Sequence, residues 1–257
     1  MTNNKFQLAE IEHLRALISP CLRRTPLLPS FRSPDLLLKA ECLQNTHSFK
    51  VRAAAGQILS LSRDELEAGL VTSSSGNFGQ AAAFVASRVN CPLQVVMPRN
   101  SNHLKVDLTQ GWGAEVVFCE NDFQSRQAKV EQIKSSLGTT EIHPFEHPRA
   151  ILGNASLGLE MLEQKPGVRH VVVPIGGGGL ISGIALAAKL VQPEVQIWGV
   201  QPQGSNAAYL SFLGDRVQQL KSTHTIADGL RANRPGDLTF SLIRQHVDSV
   251  VTVEEDS

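Results

Sequence analysis

Four consecutive glycines, Gly176-Gly177-Gly178-Gly179, follow the run Val171-Val172-Val173-Pro174 and precede the helical pattern of Leu180–Val191. Successive glycines let backbone N–H groups converge on an anion at a helix N-terminus. A tight turn with positive φ also asks for glycine, but four exceed what one turn needs, so the loop reads as a phosphate cup. A dinucleotide fingerprint would need glycine where Ile181 stands, and the next strand leads to Gln201 instead of an acid for a ribose. No G-x-x-x-x-G-K-[ST] occurs either. What remains is a small phosphorylated cofactor held by main-chain amides. A second loop, Ser73-Ser74-Ser75-Gly76-Asn77, gathers hydroxyls, amides and an Asn side chain. It suits a carboxylate or a phenolate, although Ser and Asn also serve as N-caps and turn formers. The third feature is Lys50, within Thr46-His47-Ser48-Phe49-Lys50-Val51-Arg52. Most lysines are solvated surface charges, yet an amine kept neutral by its surroundings forms Schiff bases.

The elements around these residues alternate. Strands are expected at Leu36–Lys39, Leu70–Ser73, Leu93–Met97, Glu115–Phe118, Glu141–His143, His170–Pro174, Val195–Val200 and Ser249–Val253. Helices are expected at Ser48–Leu61, Phe78–Val89, His103–Gln110, Gln124–Leu137, Arg149–Glu163, Leu180–Val191, Asn206–Leu213 and Leu238–His246. Near the N-terminus, Leu8, Ile11, Leu14 and Leu17 or Ile18 make one helical apolar face. This βαβα order with nearly continuous apolar strands predicts an α/β fold of parallel sheets covered by helices on both faces. Sites in such sheets lie at the carboxyl ends of strands, where the Ser73–Gly79 and Gly176–Gly179 loops fall. A composition change near Thr139–His147 marks a boundary between two α/β units.

Other chemistries lack support. No H-E-x-x-H occurs; His143 and His147 are four apart, but Pro144 and Pro148 argue against a shared helical face, and both read as structural or surface residues. Gly153-Asn154-Ala155-Ser156-Leu157-Gly158 is not a G-x-S-x-G elbow. Trp112 and Trp198 read as packing residues. Cys21, Cys42, Cys91 and Cys119 form no C-x-x-C pair and read as small buried hydrophobes. The 257 residues are 42% hydrophobic and carry 24 basic and 24 acidic side chains, a net charge of zero. That composition excludes a disordered chain and gives no electrostatic support to nucleic-acid or anionic-membrane partners. The N-terminus does not read as a signal peptide and no uninterrupted apolar stretch is long enough to span a bilayer, so a cytoplasmic protein is expected.

The three features together, in order and spacing, resemble fold-type II pyridoxal-phosphate enzymes, specifically the threonine/serine dehydratase and serine racemase branch. Lys39-Ala40-Glu41-Cys42-Leu43-Gln44, His143-Pro144-Phe145 and Thr225-Ile226-Ala227-Asp228-Gly229 match that branch as well. The resemblance implies two open, mainly parallel α/β units of the tryptophan synthase β-like kind. The larger, cofactor-binding domain would comprise 1–62 and 145–257, and the smaller one 63–144. It implies pyridoxal 5'-phosphate as cofactor and a small hydroxy amino acid, L-threonine and/or L-serine, as substrate, with a 2-oxo acid and ammonia as products. Lys50 would carry the cofactor as a Schiff base and, once freed, remove the Cα proton. Phe49 would pack on the ring, Asn77 would hydrogen-bond its phenolic oxygen, and the amides of Gly176, Gly177, Gly178 and Gly179 would bind the phosphate. Ser74, Ser75, Gly76 and Asn77 would hold the substrate carboxylate. A serine racemase would use Lys50 and Ser75 on opposite faces of Cα; a non-catalytic cofactor-binding remnant is the other alternative. A homodimer is expected of a complete member.

Departures from the family pattern accompany the match. Ala53 stands where the family has Gly after Lys-x-Arg, and Phe78 where it has His. Gln201 and Ala207 replace the Glu and Asp of a divalent-cation site, so no metal is expected. The family carries a further C-terminal segment, so the sequence is expected to be a fragment or a truncated product. Apolar surface around Val250, Val251 and Val253 is then expected to stay exposed.

Overall fold

Alternating apolar runs and Ala-rich helical segments produce, in the computed structural model, an α/β chain described for residues 6–256, the side chain of Phe123 excepted. The elements run α1 (Leu8–Ile18), β1 (Leu27–Ser30), β2 (Ser33–Lys39), α2 (Lys50–Ile58), α3 (Arg63–Ala68), β3 (Leu70–Ser73), α4 (Asn77–Arg88), β4 (Leu93–Pro98), α5 (His103–Gln110), β5 (Glu115–Cys119), α6 (Phe123–Leu137), β6 (Thr140–Glu141), α7 (Pro148–Gln164), β7 (His170–Pro174), α8 (Gly179–Val191), β8 (Gln196–Pro202), α9 (Ala207–Gly214), α10 (Asp237–His246) and β9 (Ser249–Val253). Two compact units result: Met1–Leu17 with Ala150–Ser257, and Ile18–Arg149. Residues 18–62 and 145–149, expected in the larger domain, group here with 63–144.

In the Ile18–Arg149 unit a parallel sheet has the order β5-β4-β3-β6. The chain leaves β3 for β4 and β5 on one side and returns to β6 on the other, so the strand order reverses at β3. Its carboxyl end is therefore the place where a crevice opens in such sheets. β3 and β4 are buried almost throughout, as strands covered on both faces must be. A separate antiparallel pair, β1 with β2, adds Leu27–Ser30, which the sequence reading passed over. Helix α3 was also not expected. Ser62 and Glu65 close a reciprocal capping box that starts it.

The other unit holds the parallel sheet β7-β8-β9. Here the expectation of helices on both faces needs correction. β7 alternates exposed and buried residues, and the paired Val172 and Trp198 are 60% and 37% exposed. One face of this sheet is buried, and the other is largely exposed among the described residues. Val250, expected to be exposed, is buried, Val251 is half-buried, and Val253 is 39% exposed. Three of the cysteines are buried as expected, but Cys42 is exposed. Among the described residues no helix is long and apolar enough to cross a membrane.

Candidate active site

Lys50 is the first residue of α2, KVRAAAGQI, whose remaining eight residues are all buried. The alanines favour helix and have no bulk beyond Cβ. α2 can therefore pack closely on α4, where Ala81, Ala82 and Ala83 are also buried. The lysine Nζ lies 5.2 Å from the centre of the Phe49 ring and 6.0 Å from that of Phe78, and donates to the Pro144 carbonyl at 3.1 Å. Burial among these groups disfavours the charged amine and lowers its pKa to about 8. Phe78 is buried against this same amine.

The Pro144 carbonyl belongs to a turn fixed by two side chains. Gln57, buried in α2, accepts from His143 N at 2.9 Å and donates to His143 O at 3.0 Å. His143 Nδ1 in turn accepts from Glu146 N at 2.8 Å and Phe145 N at 3.3 Å, and its ring meets Phe145 edge-on at 4.7 Å. A proton on Nδ1 would break both bonds. Desolvation, reinforced by the nearby Lys50 charge, brings the imidazole pKa down to about 4. His143 is therefore a neutral turn cap, in keeping with its structural reading. Next to Lys50, Arg52 is buried and forms a two-pronged ion pair with Glu41, Nε–Oε2 at 2.8 Å and Nη2–Oε1 at 3.0 Å. Thr25 Oγ1 donates to the same carboxylate.

The Ser74–Asn77 loop leaves the carboxyl end of β3 and starts α4. Ser74 Oγ accepts from Gly79 N at 3.0 Å and Gly76 N at 3.4 Å, so this serine, two residues before the N-cap Gly76, ties the loop to the first turn of the helix. The amides of Ser75, Asn77 and Phe78 and the side chains of Ser75 and Asn77 make no hydrogen bond with another described residue. Asn77 is exposed at the first position of the helix. Gly79 permits close helix–strand approach: a Cβ there would lie 2.8 Å from Ser74 O and 3.1 Å from Val95 Cγ1.

In the other unit, the Gly176–Gly179 loop joins the carboxyl end of β7 to α8. Three of its four carbonyls are occupied. Gly177 O accepts from Thr239 Oγ1 at 2.8 Å and Gly236 N at 3.3 Å, Gly178 O from Ser182 N at 3.0 Å, and Gly179 O from Asn154 Nδ2 at 3.0 Å. Its four amides make no hydrogen bond with another described residue. Gly178, at φ +96°, has no room for a side chain: a Cβ would lie 2.8 Å from Thr239 Oγ1. A Cβ on Gly176 would lie 3.2 Å from Gly229 O and 3.5 Å from Leu230 Cα, so Gly229 and Leu230 lie against the loop. α8 itself is seated on α7, where a Cβ at Gly183 would meet Ile151 O at 2.6 Å.

Comparison with known proteins gives this arrangement a family. Residues 18–257 match the family model described as "Pyridoxal-phosphate dependent enzyme". The chain belongs to the pyridoxal-phosphate-dependent enzyme family. It is 36% identical over 252 residues to a serine racemase of Oryza sativa subsp. indica, covering 96% of this chain and 74% of that protein. It is 37% identical over 254 residues to an L-threonine ammonia-lyase of Thermotoga maritima, covering 97% of this chain and 63% of that one. The solved structure of maize serine racemase superimposes with a TM-score of 0.95 at 36% identity, over 97% of this chain and 77% of that chain. Fold and branch are thus those that the sequence resemblance implied, and pyridoxal phosphate is the family's cofactor.

The residues present fit that cofactor. A loop with three occupied carbonyls, four unclaimed amides and no room for a side chain at Gly178 suits a phosphate, and a desolvated lysine suits an aldehyde. Ser48 Oγ, buried two residues before Lys50, also lacks a partner among the described residues. Gln57 and the Glu41–Arg52 pair went unassigned in the sequence. Glu41 and Arg52 fall inside family-like motifs, but Gln57 joins a turn 86 positions away and carries no local signal. Gln201 donates to Ile175 O at 3.0 Å and accepts from Tyr209 N at 2.9 Å, so both ends of its amide serve the fold.

Proposed function

We propose that this enzyme is an ammonia-lyase that converts L-threonine and/or L-serine to a 2-oxo acid and ammonia. The observation that carries the reading is the pairing of one desolvated amine with a loop hydroxyl that nothing activates. Lys50 holds a pKa near 8, so a large part of its amine is unprotonated at mildly alkaline pH. Ser75 has no hydrogen-bonding neighbour among the described residues to draw off its proton. Elimination needs one base, whereas racemisation needs an acid–base group on each face of Cα.

Pyridoxal phosphate, when bound, supplies the electron sink that makes the Cα proton removable. In this reading Lys50 anchors it and takes that proton, and Phe49 packs on its ring. Asn77 hydrogen-bonds its phenolic oxygen, and the amides of Gly176–Gly179 bind its phosphate. Ser74, Ser75, Gly76 and Asn77 orient the substrate carboxylate, mainly through the amides at the start of α4 that Ser74 Oγ does not claim. Loss of the β-hydroxyl as water, then uptake of water with release of ammonia, balances the reaction. A serine racemase is the second reading, supported by relatives of that name at 36% identity.

Borohydride reduction and peptide mapping should place the pyridoxyl group on Lys50. Keto-acid release from L-threonine and L-serine, measured beside D-enantiomer formation by chiral chromatography, should favour the keto acid. Enantiomer conversion outrunning ammonia release would make the racemase reading the right one.

A further inference from the structure

Lys50 and Gln57 are seven residues apart on α2, two helical turns, and so project from one face. Both reach the same turn. Gln57 grips His143 through its N–H and its carbonyl, at 2.9 and 3.0 Å, while its amide nitrogen also donates to Ala53 O at 3.1 Å. Lys50 donates to the very next carbonyl, Pro144 O, at 3.1 Å. The buried Gln57 amide has all its ordinary partners, and three hydrogen bonds leave the turn little freedom to shift along the helix.

We propose that Gln57 is a positioning residue that sets the Pro144 carbonyl as the seat of the Lys50 amine whenever that amine is free. The proposal rests on the reading of Lys50 as the cofactor lysine. Each time substrate displaces Lys50, a flexible four-carbon chain must be kept where it can take a proton and later return. A carbonyl held by α2 itself does this without adding charge. The groups that face the amine are otherwise the uncharged rings of Phe49 and Phe78, and His143 on the same turn, which the Lys50 charge helps to keep neutral.

Gln57→Met removes both clamps on His143 while keeping the side chain's length. With the turn released, water reaches the amine, and its titration moves back toward that of an ordinary lysine. The test is competitive acetylation of the full chain stripped of pyridoxal phosphate, with Lys50 reactivity followed by mass spectrometry across pH. We expect the Lys50 midpoint to rise by about one unit or more in Gln57→Met, a tenfold change in proton affinity. Pro144→Ala keeps the carbonyl and should leave the midpoint in place. Should Gln57→Met not fold, Gln57→Leu removes the same two clamps on His143 without adding a charge and should show the same rise. An unchanged midpoint in a folded Gln57 variant, or an equal rise in Pro144→Ala, overturns the proposal. Because labelling reads Lys50 without turnover, it is independent of whether the enzyme is a lyase or a racemase. Pyridoxyl label on another lysine would instead overturn the functional reading and leave this midpoint as measured.

Discussion

Gly178→Ala offers the most direct test of how the anion loop is built. Two costs act on an added methyl. The first is backbone strain: φ is +96°, a region that costs an L-residue roughly 1–2 kcal/mol. The second is a collision, because the new Cβ would lie 2.8 Å from Thr239 Oγ1 and 2.9 Å from Thr239 Cβ. Thr239 cannot simply swing aside, since its hydroxyl bonds Gly177 O at 2.8 Å and Gly236 O at 3.2 Å. Overpacking of this kind costs typically about 1–3 kcal/mol. Gly113→Ala is the control: its φ is +87°, but nothing lies within 4 Å of the added Cβ. It bears the first cost and not the second. The gain from a stiffer unfolded chain is common to both and cancels, leaving a difference of about 1–3 kcal/mol. The chain's two tryptophans fall one in each unit, Trp112 with Gly113 and Trp198 with Gly178. Urea unfolding followed through Trp198 in a Trp112→Phe background, and through Trp112 in a Trp198→Phe background, therefore reads each substitution where it acts. With slopes of about 1–3 kcal/mol per M, Gly178→Ala should lower its midpoint by roughly 1 M more than Gly113→Ala lowers its own. Equal destabilisation would refute the reasoning, because it would mean that the Thr239 contact exerts no constraint.

Three further outcomes are expected. His143 binds its proton less readily folded than unfolded, with a pKa of about 4 against an ordinary 6.5. The unfolded chain then holds more protons between those values, so stability falls as pH drops from 6.5 toward 4, by roughly 1–3 kcal/mol. In His143→Asn the urea midpoints at pH 7 and pH 5 should draw together. Ser74→Ala should cost about 1 kcal/mol through the lost hydrogen bond from the Gly79 amide in the first turn of α4, while Ser75→Ala should leave thermal stability unchanged and spare elimination far more than any racemisation. Treatment with EDTA followed by Mg²⁺ should change neither melting temperature nor turnover, since Gln201 spends its amide on Ile175 and Tyr209 and Ala207 offers no ligand; a saturable rise in stability would show a cation site.

Much of the fold was legible because it is local. Leu70–Ser73, His103–Gln110, His170–Pro174 and Ser249–Val253 appear at their expected boundaries, where apolar runs meet Gly, Pro or Asn punctuation. β1 was hidden by Pro29, a residue that argues against a strand unless it sits in an isolated pair like β1 with β2. α3 was announced by Ser62 and Glu65, a capping box whose short helix lacks an apolar stripe to confirm it. The half-covered β7–β8 sheet shows in the alternation at His170–Pro174, which valine at three of five positions made look continuous. At the site, the glycine run spoke for itself. Lys50 did not: one lysine among many acquires meaning from Phe49, Phe78 and the turn at His143–Phe145, brought in from elsewhere in the chain. Only the family-like motifs pointed to it in advance. Gln57 could not be found that way, because its partners are backbone atoms and leave no trace in residue type.

The fastening of the Gly176–Gly179 loop bears on how an anion is captured there. Ordering a backbone residue costs roughly 1–2 kcal/mol, and a flexible four-glycine loop would bear that cost when its ligand arrives. Here Thr239, Gly236, Ser182 and Asn154 hold the loop by three of its four carbonyls, and α7 backs the helix that follows it. The entropy is surrendered when the chain folds, and the amides stand ready without rearrangement. Binding to such a cup is closer to rigid docking than to induced order. The glycines, usually read as a source of flexibility, here make a stiff receptor because they are the residues small enough to be tied down.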